Sequence, residues 1–282
     1  MRRAAMLRRV RMPRTSGRLR RYFDHNDGRM IHKWLHYFPI YEAHLEPYRG
    51  RDVRLLEIGV SHGGSLQMWR DYFGSGSTIV GVDVADRVAE LASEGIHIEI
   101  GDQGDADFLR RIAERYGPFD IVIDDGSHLP IHQIVSIEAL WPTLAESAMY
   151  IVEDLHSNYW ADYQGGRHVE DTFMTWTFER MHDLHAFHSE EDGFEPNDWT
   201  HTLNGVHVYD SVAIFDKTLR EVPEHRKTGW PSFDDVPGVE PGGPLEPSHQ
   251  QQLDGLEGRR ARLRRTRRRW STRAAAHFGR RS

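Results

Sequence analysis

Between residues 53 and 153 the chain alternates two hydrophobic rhythms. Short apolar runs fall at 53–58 (VRLLEI), 78–83 (TIVGVD), 96–100 (IHIEI), 120–124 (DIVID) and 148–153 (AMYIVE). Amphipathic stretches separate them at 64–73, 105–116 and 130–141, with a shorter one near 86–93. Short continuous runs rich in β-branched residues suit strands buried on both faces, as in a parallel sheet. Strands alternating with helices predict βαβ units. The expected fold is therefore α/β, with a doubly wound, mostly parallel, Rossmann-like sheet. "VHVYDSVAIFDK" at 206–217 adds two strand runs, broken at Asp210-Ser211 where a tight turn fits. These predict an antiparallel C-terminal strand pair.

The flanks lack this rhythm. Residues 1–28 read as a disordered basic arm, 29–220 as the folded domain, and 221–282 as a Pro/Gly linker ending in an Arg-rich tail. Within the domain, 29–48 is aromatic-rich and partly helical in spacing. Residues 160–200 are irregular, aromatic and acidic, as an insertion or lid would be. No internal repeat is visible.

A length of 282 residues suits one α/β domain with extensions, and the 38% hydrophobic content leaves part of the chain outside the core. The absence of cysteine excludes disulfides, zinc–thiolate sites and thiol catalysis. No apolar run approaches the roughly 20 residues of a membrane span. The Arg-rich start is not followed by the apolar stretch of a secretory signal. A cytoplasmic protein with no transmembrane segment is expected.

Charge is divided sharply. Residues 1–21 carry nine Arg and no acid, and 259–281 carry eleven Arg and no acid, whereas 22–258 holds all 43 acids. The body is acidic and the ends are basic. The run "RRARLRRTRRRW" (259–270) has the charge to contact nucleic acid or an anionic membrane. With 33 Arg against three Lys in the whole chain, however, Arg is a general bias here. No nucleic-acid-binding fold signature accompanies it, so a solubilising tail is expected, with no specific nucleic-acid partner. A nucleic-acid-binding protein that uses the tails, with the sheet as scaffold, is the alternative of another class.

The first strand runs into a glycine turn and a helix start, "LLEIGVSHGGSL" (55–66). Glycines let backbone approach a ligand, and a helix N-terminus favours polar or anionic groups. Glu57, Gly59, Gly63, Gly64 and Ser65 are candidate cofactor-binding residues on this turn. The spacing is not GxGxxG, which disfavours a nicotinamide-dependent oxidoreductase, and no Walker lysine is present. The second strand ends at Asp83, where an acid can accept both hydroxyls of a ribose. The third ends in Gly101-Asp102-Gln103, polar groups where an adenine edge would lie. Each of these has a plainer reading as a turn or helix cap. As an ordered series at successive strand ends they point to an adenosyl ligand.

Two strands end in acids followed by a histidine: "IVIDDGSH" (121–128) and "MYIVEDLH" (149–156). In a doubly wound sheet, ligands sit beyond the carboxyl ends of the strands, near the point where strand order reverses. Asp124, Asp125 and His128 would then lie beside Glu153, Asp154 and His156. Carboxylates so close repel, and a cation resolves the repulsion. An oxygen-rich set without thiolate favours Mg²⁺ or a similar hard ion. The plain alternative for "DDGSH" is a cap before the helix that starts near Pro130. Asp124 reads as structural or as a cofactor contact. The run "MHDLHAFH" (181–188) has spacing for zinc, but a solvated helix face is the expected reading.

Taken together, "HKWLHYFPIYEAHL" (32–45), "LLEIGVSHGGSLQMW" (55–69), "GVDV" (81–84), "GDQ" (101–103), "IDDGSH" (123–128), "LWP" (140–142) and "VEDLHSNYW" (152–160) make the chain resemble a class I S-adenosylmethionine-dependent methyltransferase. More narrowly, it resembles the metal-dependent sugar O-methyltransferases of macrolide and related natural-product pathways, over about residues 29–217. The resemblance implies S-adenosylmethionine and Mg²⁺ as cofactors, Asp125, Glu153 and Asp154 as metal ligands, and His128 as the base. It implies transfer of a methyl group to a hydroxyl of a rhamnose-like deoxysugar on a natural product or glycolipid. A catechol-like or other small-molecule acceptor on the same fold is the nearer alternative. A glycosylated small molecule is the expected partner, and a homo-oligomer is compatible with the resemblance. The family's segment equivalent to 32–45 lies over cofactor and substrate, so Tyr37, Tyr41 or Glu42 could contact either. By spacing alone, Trp34, Tyr37 and Tyr41 could equally pack on the sheet. His156 and Tyr159 could orient the second acid pair or line the substrate pocket.

Overall fold

The computed structural model describes residues 17–225, and residues through Arg220 belong to one compact unit. Seven strands form one sheet: β1 (Arg54–Ile58), β2 (Thr78–Asp83), β3 (Ile96–Ile100), β4 (Ile121–Asp124), β5 (Ala148–Val152), β6 (Leu203–Tyr209) and β7 (Val212–Lys217). Their order is β3-β2-β1-β4-β5-β7-β6. Strands β1 to β5 pair in parallel, β7 runs antiparallel to β5, and β6 antiparallel to β7. Strand order reverses between β1 and β4, the place where such sheets bind ligands.

The apolar runs are continuous because both faces of the sheet are covered. Leu55, Ile79, Ile121, Ile123, Met149, Ile151 and Ile214 face one core, with helices α2 (Tyr37–Leu45) and α3 (Gly64–Phe73). Leu56, Val80, Val122, Tyr150, Val152 and Phe215 face the other, with α4 (Ala106–Tyr116) and α5 (Pro130–Leu140). Each helix starts where local chemistry starts it. The Asp105 carboxylate accepts from the N–H groups of Asp107 and Phe108 at the head of α4. Proline, which lacks a donor, opens α5.

Register positions the site. Ile58 lies opposite Asp124, and Asp124 opposite Val152. The ladder then continues one residue further: Asp125 N–H donates to Ile58 O and Glu153 N–H to Asp124 O, each at 2.9 Å. Gly59, Asp125 and Glu153 therefore leave three adjacent strands side by side.

Two expectations need correction. Residues 18–24 do not belong to a disordered arm: α1 (Arg18–Asp24) is helical, and Leu19 is 1% exposed. Its N–H donates to Glu42 Oε1 at 2.6 Å. Leu19, Tyr22 and Phe23 have helical spacing, but one turn of pattern among arginines is too little to betray such an anchor. The rest of the arm, residues 1–16, lies outside the described residues, as does the Arg-rich tail. Nor is the stretch 160–200 irregular throughout. It contains α6 (Phe173–Asp183), capped by Thr172, and the short α7 (Asp198–Thr202), capped by Asn197. Phe173, Trp176 and Phe215 pack these onto the sheet. Among the described residues no helix is long and apolar enough to cross a membrane.

Leu19→Ala should cost about 2–5 kcal/mol, the range for truncating a buried leucine. Urea unfolding checks it; a loss under 0.5 kcal/mol, the ordinary surface range, would return α1 to the arm.

Candidate active site

The Gly59 turn comes first. Gly59 has φ +94°, and a Cβ there would collide with the Asp125 carbonyl oxygen. Only glycine lets the end of β1 pass this close to the end of β4. Asp83 secures the turn from β2: its Oδ2 accepts from the N–H of Val60 at 2.9 Å and of Ser61 at 3.0 Å. Asp102 is exposed just beyond β3, with Oδ1 holding the Gly104 N–H.

Beyond β1, β4 and β5 the acids gather around an ammonium. Lys33 Nζ lies 2.6 Å from Asp125 Oδ2, 2.8 Å from Glu153 Oε2 and 3.7 Å from Glu57 Oε1. Burial would push this lysine down, yet Asp125, Glu153 and Glu57 hold it protonated, well above its usual value. Tyr41 donates to Glu153 Oε1 at 2.5 Å, and Tyr37 to Asp154 Oδ1 at 2.6 Å. Burial, reinforced by these acids, raises both phenols, so they remain donors.

His128 sits at the mouth. Its Nε2 is 4.0 Å from Asp125 Oδ1 and 3.7 Å from Asp154 Oδ2, the oxygens that Lys33 and Tyr37 leave free. His128 (φ +57°) and Asp154 (φ +54°) are both left-handed, a conformation non-glycine residues seldom adopt. Such strain collects at functional sites. Ser157 Oγ helps hold the turn, donating to His128 O at 3.0 Å. Asp125, His128 and Asp154 each offer a ligand atom, all within 4.8 Å of one another.

The chain thus brings Asp125, His128, Glu153 and Asp154 together. Several candidate contacts land elsewhere. Glu153 is turned to Lys33 and Tyr41 rather than into the trio at the mouth. Asp124 is 1% exposed and points to the opposite face of the sheet, where Gln103, Ser136 and Tyr150 donate to it. Burial raises its pKa to about 6. Asp124 and Gln103 form a structural pair, not an open cofactor contact. Ser65 is buried and donates to Glu57. A Cβ on Gly64 would strike the carbonyls of Arg29 and Met30. These two, like Glu57, are packing positions, and buried Gly63 abuts Leu91. Tyr37 and Tyr41 are 0% exposed, so they hold acids rather than touch a substrate. His156 packs between Trp34 and Trp160, while Tyr159 is exposed. The histidine run 181–188 forms no metal-capable cluster among the described residues.

Lys33 was missed from sequence. A signal existed: side chains alternate along a strand, so Glu57, Asp125 and Glu153 share the parity of Leu55, Ile123 and Ile151 and face the same layer. A buried layer receiving three acids calls for a cation, and Lys33 is the lone lysine in the first 216 residues.

No protein-family profile matches the chain. Known proteins nevertheless resemble it strongly. It is 38% identical over 221 residues to the mycinamicin VI 2''-O-methyltransferase of Micromonospora griseorubida, covering 73% of this chain and 53% of that protein. It is 35% identical over 228 residues to the demethylmacrocin O-methyltransferase of Streptomyces fradiae, covering 75% and 56%. The solved MycE methyltransferase complex with Mg, SAH and mycinamycin VI superimposes with a TM-score of 0.63 at 35% identity, over 74% of this chain and 54% of that one. The described domain has the class I methyltransferase fold. The chain spans about half the length of the curated relatives it matches.

Two measurements probe how this domain holds its acids. Lys33→Met should destabilise it by about 3–5 kcal/mol, because buried carboxylates lose their counter-charge; unchanged urea unfolding would show the ammonium to be dispensable. Burial raises Glu57 from 4.5 to about 7, against the pull of Lys33. The folded chain then keeps a proton that the unfolded chain has released, so this group lowers stability as pH rises from about 4.5 to about 7. Glu57→Gln should flatten that part of the stability–pH curve; a curve of unchanged slope would refute the shift.

Proposed function

We propose that the domain transfers a methyl group from S-adenosylmethionine to a hydroxyl of a deoxysugar on a glycosylated natural product, with Mg²⁺ at the acid cluster. The observation that carries this reading is His128 Nε2 set between Asp125 Oδ1 and Asp154 Oδ2, beside the Gly59–Asp83 turn. The relatives support it: their names specify 2''-O-methylation of mycinamicin VI and 2'- and 3'-O-methylation of rhamnosyl tetracenomycin C.

The residues fit both cofactors. Asp125 and Asp154, with Glu153 behind them, offer the oxygen ligands that suit Mg²⁺, and Asp83 and the close-approach Gly59 suit an adenosine ribose beside them. Bound Mg²⁺ would lower the pKa of a coordinated hydroxyl, and S-adenosylmethionine carries the activated methyl group. The chain's own share is positioning and proton transfer. Lys33, Tyr41 and Tyr37 fix the acids before any ligand arrives, so little reorganisation remains for the reaction. His128 Nε2 is placed to accept the proton that the acceptor's hydroxyl would give up as its oxygen took the methyl group, the sulfonium–methyl bond breaking and S-adenosylhomocysteine leaving. Trp34, Tyr159 and Trp160, each about half exposed, stand near His156 at the rim. Exposed aromatic surface of this kind suits the apolar face of a deoxysugar or its aglycone, which favours a glycosylated acceptor over a bare catechol.

His128→Ala should lower turnover about 10²–10⁴-fold, as loss of a general base does, with S-adenosylmethionine affinity unchanged in calorimetry. EDTA should abolish transfer to a rhamnosylated acceptor and Mg²⁺ restore it. Full activity in EDTA, or normal turnover of the histidine variant, would overturn the assignment.

A further inference from the structure

A second cluster lies away from these acids, where α2 meets the edge of the sheet. His44 comes from the last turn of α2, His207 from edge strand β6 and Asp216 from β7. Their ligand atoms lie within 4.8 Å of one another, and all three residues are half-buried. His207 Nε2 is 2.9 Å from Asp216 Oδ2, and the two imidazole rings are 4.6 Å apart between centroids. The Tyr209 hydroxyl adjoins His44 Nε2 at 2.8 Å.

We propose that His44, His207 and Asp216 form a binding site for a transition-metal ion of the zinc type, which fastens the end of α2 to the β6–β7 hairpin. Two imidazole nitrogens and one carboxylate are a zinc-type donor set, whereas Mg²⁺ prefers oxygen alone. Three protein ligands leave a fourth position for water or the Tyr209 oxygen. Zinc–ligand bonds of about 2.0–2.1 Å require the three ligand atoms to draw somewhat closer, which half-exposed side chains can do by rotation.

Two further features favour the site. Gly205, paired with Asp216 across the hairpin, has no side chain beside the ligand atoms; a Cβ there would stand 3.7 Å from His207 Nε2 and 3.8 Å from Asp216 Oδ2. Bare backbone thus keeps the approach open. Finally, the three ligands come from three elements, so one ion would cross-link them. Helix α2 carries Tyr37 at its other end and Tyr41 at its middle, and β7 pairs with β5, whose end carries Glu153 and Asp154. An ion here would brace the two elements that aim the hydroxyl–carboxylate contacts. The plainer alternative is a cross-strand hydrogen bond, His207 to Asp216, and a helix-to-strand one, His44 to Tyr209, that together cover a sheet edge.

Cobalt reports on the site without any assay of turnover. The intact protein, in excess Mg²⁺ to occupy the oxygen-rich cluster, is titrated with Co²⁺ and followed by visible absorption. The site predicts a d–d band with one equivalent bound, displaced by Zn²⁺, and a higher thermal midpoint with Zn²⁺. His44→Ala and His207→Ala should each remove that equivalent and the zinc-dependent rise. Asp125→Asn should keep both. No bound cobalt in the wild-type protein, or an unchanged equivalent in both histidine variants, would overturn the proposal. The wild-type titration alone decides the first outcome if a variant fails to fold. Loss of the Mg²⁺ reading would leave this site untouched, because the two share no residue.

Discussion

Lys33 places its ammonium 2.6 Å from Asp125 and 2.8 Å from Glu153, with Glu57 at 3.7 Å. Without that cation, three strand ends would converge on mutually repelling, desolvated carboxylates, and the register that brings them together would be opposed by its own charge. With it, β1, β4 and β5 can end side by side. The segment carrying Lys33 is drawn across the sheet as a result, and its Arg29–Met30 backbone closes over the start of α3 at Gly64.

One cation does not balance every acid at this end. Glu57, Asp125, Glu153 and Asp154 outnumber Lys33, and the surplus is concentrated at the free oxygens of Asp125 and Asp154, beside His128. The arrangement separates two tasks. Lys33 and Tyr41 hold the inner acids in fixed geometry. The outer oxygens, partly exposed, keep the negative potential that a divalent ion would answer. Left-handed backbone at His128 and Asp154 fits this division, because strain persists only where surrounding contacts overdetermine it.

Helix α2 connects the parts. Tyr37 and Tyr41 point phenols at Asp154 and Glu153, while His44, a turn later, reaches the β6–β7 hairpin. Aromatic residues at helical spacing therefore do more here than fill a core. Each buries a ring and delivers a hydroxyl to a carboxylate, one fully buried (Glu153) and one partly exposed (Asp154).

Strands, helices and the acid tips of β4 and β5 were legible in the sequence, because hydrophobic period and local capping are short-range properties. Strand boundaries agree with the apolar runs to within a residue for β1 to β5. Even the division between Asp124 and Asp125 was latent in the two-residue alternation, which sends neighbours to opposite faces. Strand parity called for a cation, but the contacts by which particular groups answer those acids were not legible. Lys33 lies 92 residues from Asp125 and 120 from Glu153, and nothing local couples them. Tyr37 and Tyr41 showed only helical spacing, equally good for packing or for touching a ligand; their full burial decided it. Leu19 offered only one turn of period, with Tyr22 and Phe23, and its anchoring exists only once α1 meets Glu42. Local pattern determines what an element is and where it ends. Which buried charges share a partner depends on chain closure, and only the packed tertiary structure decides that.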